Sequence, residues 1–338
     1  MMMTYCQGCD KELTTATDSE AHIIPNALGG NLKPRGIICR TCNGKLDTIA
    51  DNRLIKAFGD WPTLLDIPRD RGSNPSKNVE TRNGRRVRIE ANGALTRSDI
   101  LYSVEGDEER SVVKLGAGDW KTFNNLLQRV AKQFPQFEPA EALKHARKVD
   151  VDDGDELKLG IDFHPRAVFG GIVAAIWLFM NLKTGIGFCD WERLLVAIRK
   201  IQRNGGLFRY MTEGFPGLVG PEIPICHKIV LRSNPATRQL LAYVEILGVL
   251  RVGGLVGEGG DQPLEHIYVY DVFNRTDRSA EFSINDEAFT AIRDWRSVGL
   301  GPEDSDALRA HFESALSETF AQRYYDRFSA SGDRLDES

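Results

Sequence analysis

Apolar residues at Leu46, Ile49, Ala50, Leu54 and Ala57 recur at close to the 3.6-residue period, which predicts a helix over residues 43–58 with one buried face. Ahead of it, residues 21–24 and 36–39 read as two short strands, joined through a turn at 25–30 that Gly29-Gly30 supplies. Residues 61–75, rich in Pro, Arg and Asp, read as a linker or an ordered loop. From Val79 the pattern changes to short strands. Asn83-Gly84, between Val-Glu-Thr-Arg and Arg-Arg-Val-Arg-Ile-Glu, is a strong hairpin signal. A strand at 111–115 precedes an amphipathic helix at 119–134, which ends before Pro135. The remainder predicts a strand near 157–163, an apolar helix at 165–182 with Pro165 in its first turn, and a helix at 191–203 ended by Asn204-Gly205-Gly206. Long strands follow at 225–232, 239–252 and 265–273, the second alternating poorly as a buried strand does, and two helices close the chain at about 285–296 and 303–328.

This pattern gives an α+β fold in three parts: a small lobe at 1–60, a linker with a hairpin and helix at 61–150, and a larger α+β domain at 151–330. A chain of 338 residues exceeds the ~100–200 residues usual for one domain, which agrees. Hydrophobic residues at 41% against 27% charged describe a globular chain with a real core. The net charge of −5 gives a nucleic-acid partner no support from global charge, so any phosphate-binding surface must come from local clustering. Of six cysteines, Cys189 and Cys226 stand alone in apolar surroundings and the others form two close pairs, the usage of a reduced compartment. No apolar leader precedes the first pair, and the expected location is cytoplasmic. The apolar run at 167–182 is shorter than the ~20 residues a bilayer needs and holds adjacent glycines, so it reads as a buried core helix and not a membrane span.

The chemistry concentrates in the first sixth of the chain. Cys6/Cys9 and Cys39/Cys42 are two C-x-x-C turns, each presenting a pair of thiolates, and together they supply four soft ligands for a tetrahedral ion such as structural Zn²⁺. The gap between the pairs is longer than the roughly 15–20 residues of a common zinc ribbon, so the clamp encloses more than a turn. Inside it lie His22, a residue type whose ordinary pKa range suits a general base, and the run Ala-His-Ile-Ile-Pro-Asn-Ala-Leu-Gly-Gly. Asn43 follows the last cysteine directly, and Asp47 and Asp51 fall four and eight residues later on the same helix face. Lys33, Arg35 and Lys45, with Arg40 and Arg53, are candidate phosphate contacts that acidic neighbours partly offset.

Cys6-x-x-Cys9, His22-Ile23-Ile24-Pro25, Leu28-Gly29-Gly30 and Ile37-Ile38-Cys39-x-x-Cys42-Asn43, in this order, resemble the HNH endonuclease family, in the subgroup with a four-cysteine zinc clamp. The resemblance implies a ββα-metal lobe, His22 as the base that activates water, and Asn43 as a holder of a catalytic Mg²⁺ or Mn²⁺. DNA is the implied substrate, with 5′-phosphate and 3′-hydroxyl products. Many relatives carry an acid immediately before the base, where this chain has Ala21; Glu20 lies one residue too early, and Asp47 or Asp51 are the candidate substitutes. The middle Asn of the family's name motif has no firm counterpart, since the comparable stretch is Lys33-Pro34-Arg35-Gly36.

The expected function is therefore a metal-dependent, DNA-hydrolysing endonuclease whose larger C-terminal part selects the target, controls activity or forms a homodimer. Two other classes remain: a non-catalytic zinc module that binds nucleic acid or protein, and an effector gated by a small ligand. His164 and His227 read as capping or packed histidines, and His145, His266 and His311 carry no signal. Gly253-Gly254 and Gly259-Gly260 flank an expected flexible loop without the Lys-Ser/Thr of a phosphate-binding loop.

Overall fold

A computed structural model describes residues 4–70, 72–98, 100–106, 111–146, 157–159, 162, 164–204, 208–258, 263–285, 310–312 and 314–318. The chain divides into two compact units, one of residues 1–59, 67–72 and 161–338, the other of residues 60–66 and 73–160. The cysteine-rich lobe thus shares a unit with the C-terminal sheet.

In the lobe, the helix begins earlier than its apolar spacing predicts. It runs as α1 (Arg40–Leu46), a π-helical turn (Asp47–Asp51) and α2 (Asn52–Ala57), with the extended Cys39 as its N-cap. Of the five predicted apolar positions, Leu46, Ala50, Leu54 and Ala57 are buried and Ile49 is half-buried. Neither predicted strand forms a ladder among the described residues: the backbone pairs through the bridges Tyr5–Glu12 and Asp18–Cys39 and through single bonds such as Ile23 N–H to Leu32 O and Gln7 N–H to Ile37 O, both 2.9 Å. The segment is short and the thiol cluster ties its ends, so local side-chain packing replaces a strand pair. The predicted turn is a 3-10 turn (Asn26–Leu28) closed by Gly29 in the left-handed region at φ 87°.

The second unit opens with the short helix α3 (Trp61–Leu64), so this part of the expected linker is ordered. Its four-stranded antiparallel sheet has the order β3-β2-β1-β6, built from β1 (Lys77–Thr81), β2 (Arg86–Ile89), β3 (Leu95–Arg97) and β6 (Leu157–Lys158). The Asn83-Gly84 hairpin forms as expected, with Val79 opposite Val87 and Gly84 at φ 77°. Strands β4 (Leu101–Gly106) and β5 (Ser111–Gly116) make a separate pair. Helix α4 (Trp120–Gln133) starts where Asp119 accepts the Thr122 N–H at 2.8 Å, and the short α5 (Pro139–His145) follows.

Back in the first unit, α6 (Pro165–Thr184) extends past the predicted apolar run to 20 residues, with a mean hydropathy of 1.6 over an 18-residue window. Length and composition alone would let it cross a membrane, yet 78% of that window is buried inside the fold, as a core helix requires. Gly171 of α6 meets the lobe helix directly: a Cβ there would lie 2.7 Å from Leu54 Cδ2. Helix α7 (Trp191–Asn204) packs on α6, with the Trp177 and Trp191 ring centroids 5.7 Å apart.

The main sheet has six antiparallel strands in the order β13-β12-β9-β10-β11-β7: β7 (Phe208–Tyr210), β9 (Cys226–Asn234), β10 (Gln239–Ile246), β11 (Leu250–Glu258), β12 (Glu265–Asp271) and β13 (Thr276–Asp277). Strands β8 (Leu218–Val219) and β14 (Ser283–Ile284) pair apart from it. The single strand expected at 239–252 is a hairpin, because Leu247 and Gly248 turn at φ 57° and 73°. A Cβ on Gly248 would meet Pro224 O at 2.1 Å. Gly253-Gly254 lie in β11, paired with β7 and β10, and are not part of a loop. Glycines 205, 206, 259 and 260 lie outside the described residues. So does most of the two closing helices, of which 310–312 and 314–318 are helical.

Candidate functional site

The four cysteine Sγ atoms lie within 4.8 Å of one another, and among the described residues no other group of three or more His, Cys, Asp or Glu ligands gathers so closely. The Cys9–Cys39 Sγ separation of 3.7 Å matches the edge of about 3.8 Å that Zn–S bonds of about 2.3 Å give in a tetrahedron. Cys6 Sγ also accepts N–H bonds from Gly8 at 3.3 Å and Cys39 at 3.2 Å, an arrangement suited to a thiolate. Burial pushes the Cys42 thiol far up, and crowding by Cys39 and Cys6 adds to it. At Cys39 burial also opposes ionisation, but hydrogen bonds led by the Cys42 backbone outweigh it and bring the thiol down to about 7. A cation among the four sulfurs removes the repulsion that holds Cys42 protonated, so the donor set fits zinc. Gly8 makes the first knuckle feasible, since a Cβ there would sit 2.7 Å from Cys42 Sγ.

The clamp presents His22. Ala21 and Ile23 are buried at 0% and 2% exposure, so the alternating backbone turns His22 the other way, onto an open face. An acid at position 21 would point into the lobe core, which is the physical reason Ala stands there. The loop then doubles back over Gly30, whose hypothetical Cβ would lie 1.8 Å from Ile24 O. Gly30→Ala therefore forces a backbone shift beside His22. We expect a loss of about 1–3 kcal/mol by denaturant titration, and an unchanged stability would show that the turn relaxes freely.

The residue facing His22 is one the sequence reading passed over. Asp70 Oδ2 lies 3.4 Å from His22 Nε2 and also accepts a short hydrogen bond from Lys33 Nζ. Its other oxygen, Oδ1, is 3.0 Å from Arg275 Nη2, and its backbone N–H donates to Asn26 Oδ1 at 3.3 Å. Lys33, ahead of some opposing burial and of His22, holds the Asp70 carboxyl below its usual range, so it is an anion at neutral pH. Arg275 sits at φ 52° in the turn after β12, which Asp271 fixes by accepting from Asn274 N at 3.0 Å and Nδ2 at 2.8 Å. No motif marked Asp70: it lies 48 residues from His22, in a stretch without periodicity.

The other predicted residues are placed as follows. Arg35 is held by Glu20, with Nη2–Oε1 at 2.6 Å, which occupies both side chains. Lys45 is exposed on α1, Asn43 is half-buried and its N–H bonds Cys39 O at 2.9 Å, and Asp47 is exposed. Burial, with a smaller push from Asp47, raises the Asp51 carboxyl to about 7. Among the described residues no hydrogen bond or ion pair joins His22 to Asn43, Asp47 or Asp51. His164 caps α6, its Nδ1 accepting from Arg166 N–H at 3.2 Å. His227 is fully buried and packed, as expected: Leu247 N–H donates to Nδ1 at 3.3 Å, so Nε2–H donates to Leu28 O at 3.0 Å. It ties the turn after His22 to the main sheet. Gly29 is part of the same join, since a Cβ there would lie 2.7 Å from Val272 Cγ1 and 2.8 Å from Ile67 Cγ2.

No curated protein and no solved structure matches the chain. Residues 6–59 match the family model described as HNH endonuclease, a span that holds the whole cysteine clamp and His22. The N-terminal lobe is thus an HNH-family domain carrying a four-cysteine cluster fit for zinc, and that family points to a nuclease.

Proposed function

We propose that the protein is a metal-dependent endonuclease that hydrolyses DNA phosphodiester bonds, with His22 as the general base that activates water. The observation that carries this reading is a half-exposed imidazole within the HNH-family match, paired with Asp70, whose carboxylate Lys33 and Arg275 also contact. Hydrolysis needs a base for water and positive charge for the phosphate, and His22 is the group fit for the first. A divalent Mg²⁺ or Mn²⁺ would neutralise charge on the scissile phosphate when bound. Asn43, with Asp47 and Asp51 on the following turns, is the set that would hold it, a mix of oxygen donors that suits such hard ions. Zinc in the cysteine clamp has a structural role. Residues 61–150 and 151–330 would select the target or regulate cleavage, and the free thiols suit the cytoplasm.

The test incubates supercoiled and linear DNA with Mg²⁺ or Mn²⁺ and compares the native chain with His22→Ala. The expected loss of cleavage rate is about 10²–10⁴-fold, the usual contribution of a general base. Cleavage at the native rate in the variant would remove His22 from that role. One observation favours the second reading, a zinc module that binds nucleic acid without cutting it: the buried Ala21 leaves the usual acid position without a ligand. Salt-dependent DNA binding with no cleavage under any divalent ion would select that reading.

A further inference from the structure

We propose that Asp70 is the positioning residue for His22: its carboxylate accepts the His22 Nε2–H, and Lys33 and Arg275 hold it in place. The proposal rests on the reading of His22 as the base. An imidazole acts as a base only through its unprotonated nitrogen, and the hydrogen bond of the other nitrogen selects which one that is. With Asp70 Oδ2 at 3.4 Å from Nε2, the proton belongs on Nε2, and Nδ1 keeps its lone pair for water.

Asp70 could instead be a metal ligand, but its surroundings decide against it. Lys33 takes Oδ2 together with His22, and Arg275 takes Oδ1 at 3.0 Å. Two cations satisfying both oxygens leave a poor site for a divalent ion, whereas they are what a carboxylate needs to stay charged and fixed beside an imidazole. The supports are themselves fixed. Arg275 is held by its turn and by a hydrogen bond with the buried Tyr270, which stacks on His227 at 6.5 Å between ring centroids. Asn26, four residues beyond His22, holds the Asp70 backbone N–H. The HNH-family match ends at residue 59, so both Asp70 and Arg275 are additions from outside it. The main sheet thereby completes the environment of His22.

The experiment uses the full chain with ¹⁵N-labelled histidine, His22→Gln supplying the assignment. In the native protein the neutral His22 ring is expected to show a hydrogen-bonded Nε2–H that exchanges slowly with water. Asp70→Asn should abolish that signal and lower the rate of DNA cleavage about 10–100-fold, the usual loss when an orienting partner is removed. The KM should stay within twofold, and Asp70→Glu should recover part of the rate. Thermal melts of each variant separate this from misfolding, and Arg275→Gln, which keeps the Asp70 carboxylate but removes one of its two supports, should give a smaller loss of a few-fold in the same direction. A native Nε2–H signal that survives in Asp70→Asn, or an Asp70→Asn variant that is folded and cleaves at the native rate, overturns the proposal. The imidazole signal needs no nucleic acid. If the signal behaves as expected but the native chain cuts nothing, the endonuclease reading fails and the His22–Asp70 pairing stands.

Discussion

Removing zinc with a chelator at neutral pH should unfold the HNH-family lobe, visible as loss of amide protection over residues 4–59 and a lower Tm for the whole first unit. The lobe has little regular backbone pairing ahead of α1, two isolated bridges and scattered single bonds, so the clamp carries much of what joins the two knuckles to the helix. Structural zinc contributes about 10–16 kcal/mol in small metal-dependent folds. Packing of α2 against α6 will retain part of the helix here, and the loss should fall on the knuckles and the His22 loop. Cys42→Ser, at a position 1% exposed, should reproduce the effect, since it removes a ligand and buries a hydroxyl in its place. The measurement pairs elemental analysis, with about one zinc per chain expected from a four-thiolate site, with hydrogen exchange before and after chelation. Undiminished protection in metal-free protein would show that the cysteines are not the staple.

Acid should destabilise the protein through His227. Burial, against a small opposing contribution from the Leu28 carbonyl, holds this imidazole at about 3, compared with about 6.5 in an unfolded chain. Its folded pKa is depressed, so below 6.5 the unfolded state binds the extra proton. The stability is fully present above pH 6.5 and is lost progressively as pH falls toward 3. Between pH 7 and pH 5 this one group should cost about 2 kcal/mol. His227→Gln cannot titrate and can still donate to Leu28 O, so its stability should vary less with pH over that window, by about one proton. Its stability at pH 7 should be lower by about 1–3 kcal/mol, because Leu247 N–H loses its acceptor. Both chains carry the same thiol cluster, so acid release of zinc cancels in the comparison. Urea titrations across pH 5 to 7.5 check this, and parallel pH dependences would place the acid sensitivity elsewhere.

The sequence alone determined the chemistry that is local in the chain. Two C-x-x-C turns, the helix carrying Asn43, the Asn83-Gly84 hairpin, the amphipathic α4, the helix α7 and the buried α6 all follow from spacing, period and turn residues within a few positions of each other. Its errors fell where distant contacts override local preference. The strands expected at 21–24 and 36–39 yield to a thiol cluster, and one long strand breaks at Leu247-Gly248 because Gly248 must pass against Pro224 O. The π-helical turn at Asp47–Asp51 has no sequence signature.

What only the tertiary structure decided is the company of His22. Ala21 leaves the position before His22 without an acid, and no period or motif marks where a carboxylate comes from. Asp70 arrives from 48 residues away and Arg275 from 205 residues beyond it, each placed by packing against the His22 loop. His22 and the four-cysteine cluster are written in one short stretch because four thiolates can be gathered by two tight turns. The charges around His22 come from elsewhere because only a folded sheet brings such separated residues within hydrogen-bonding distance.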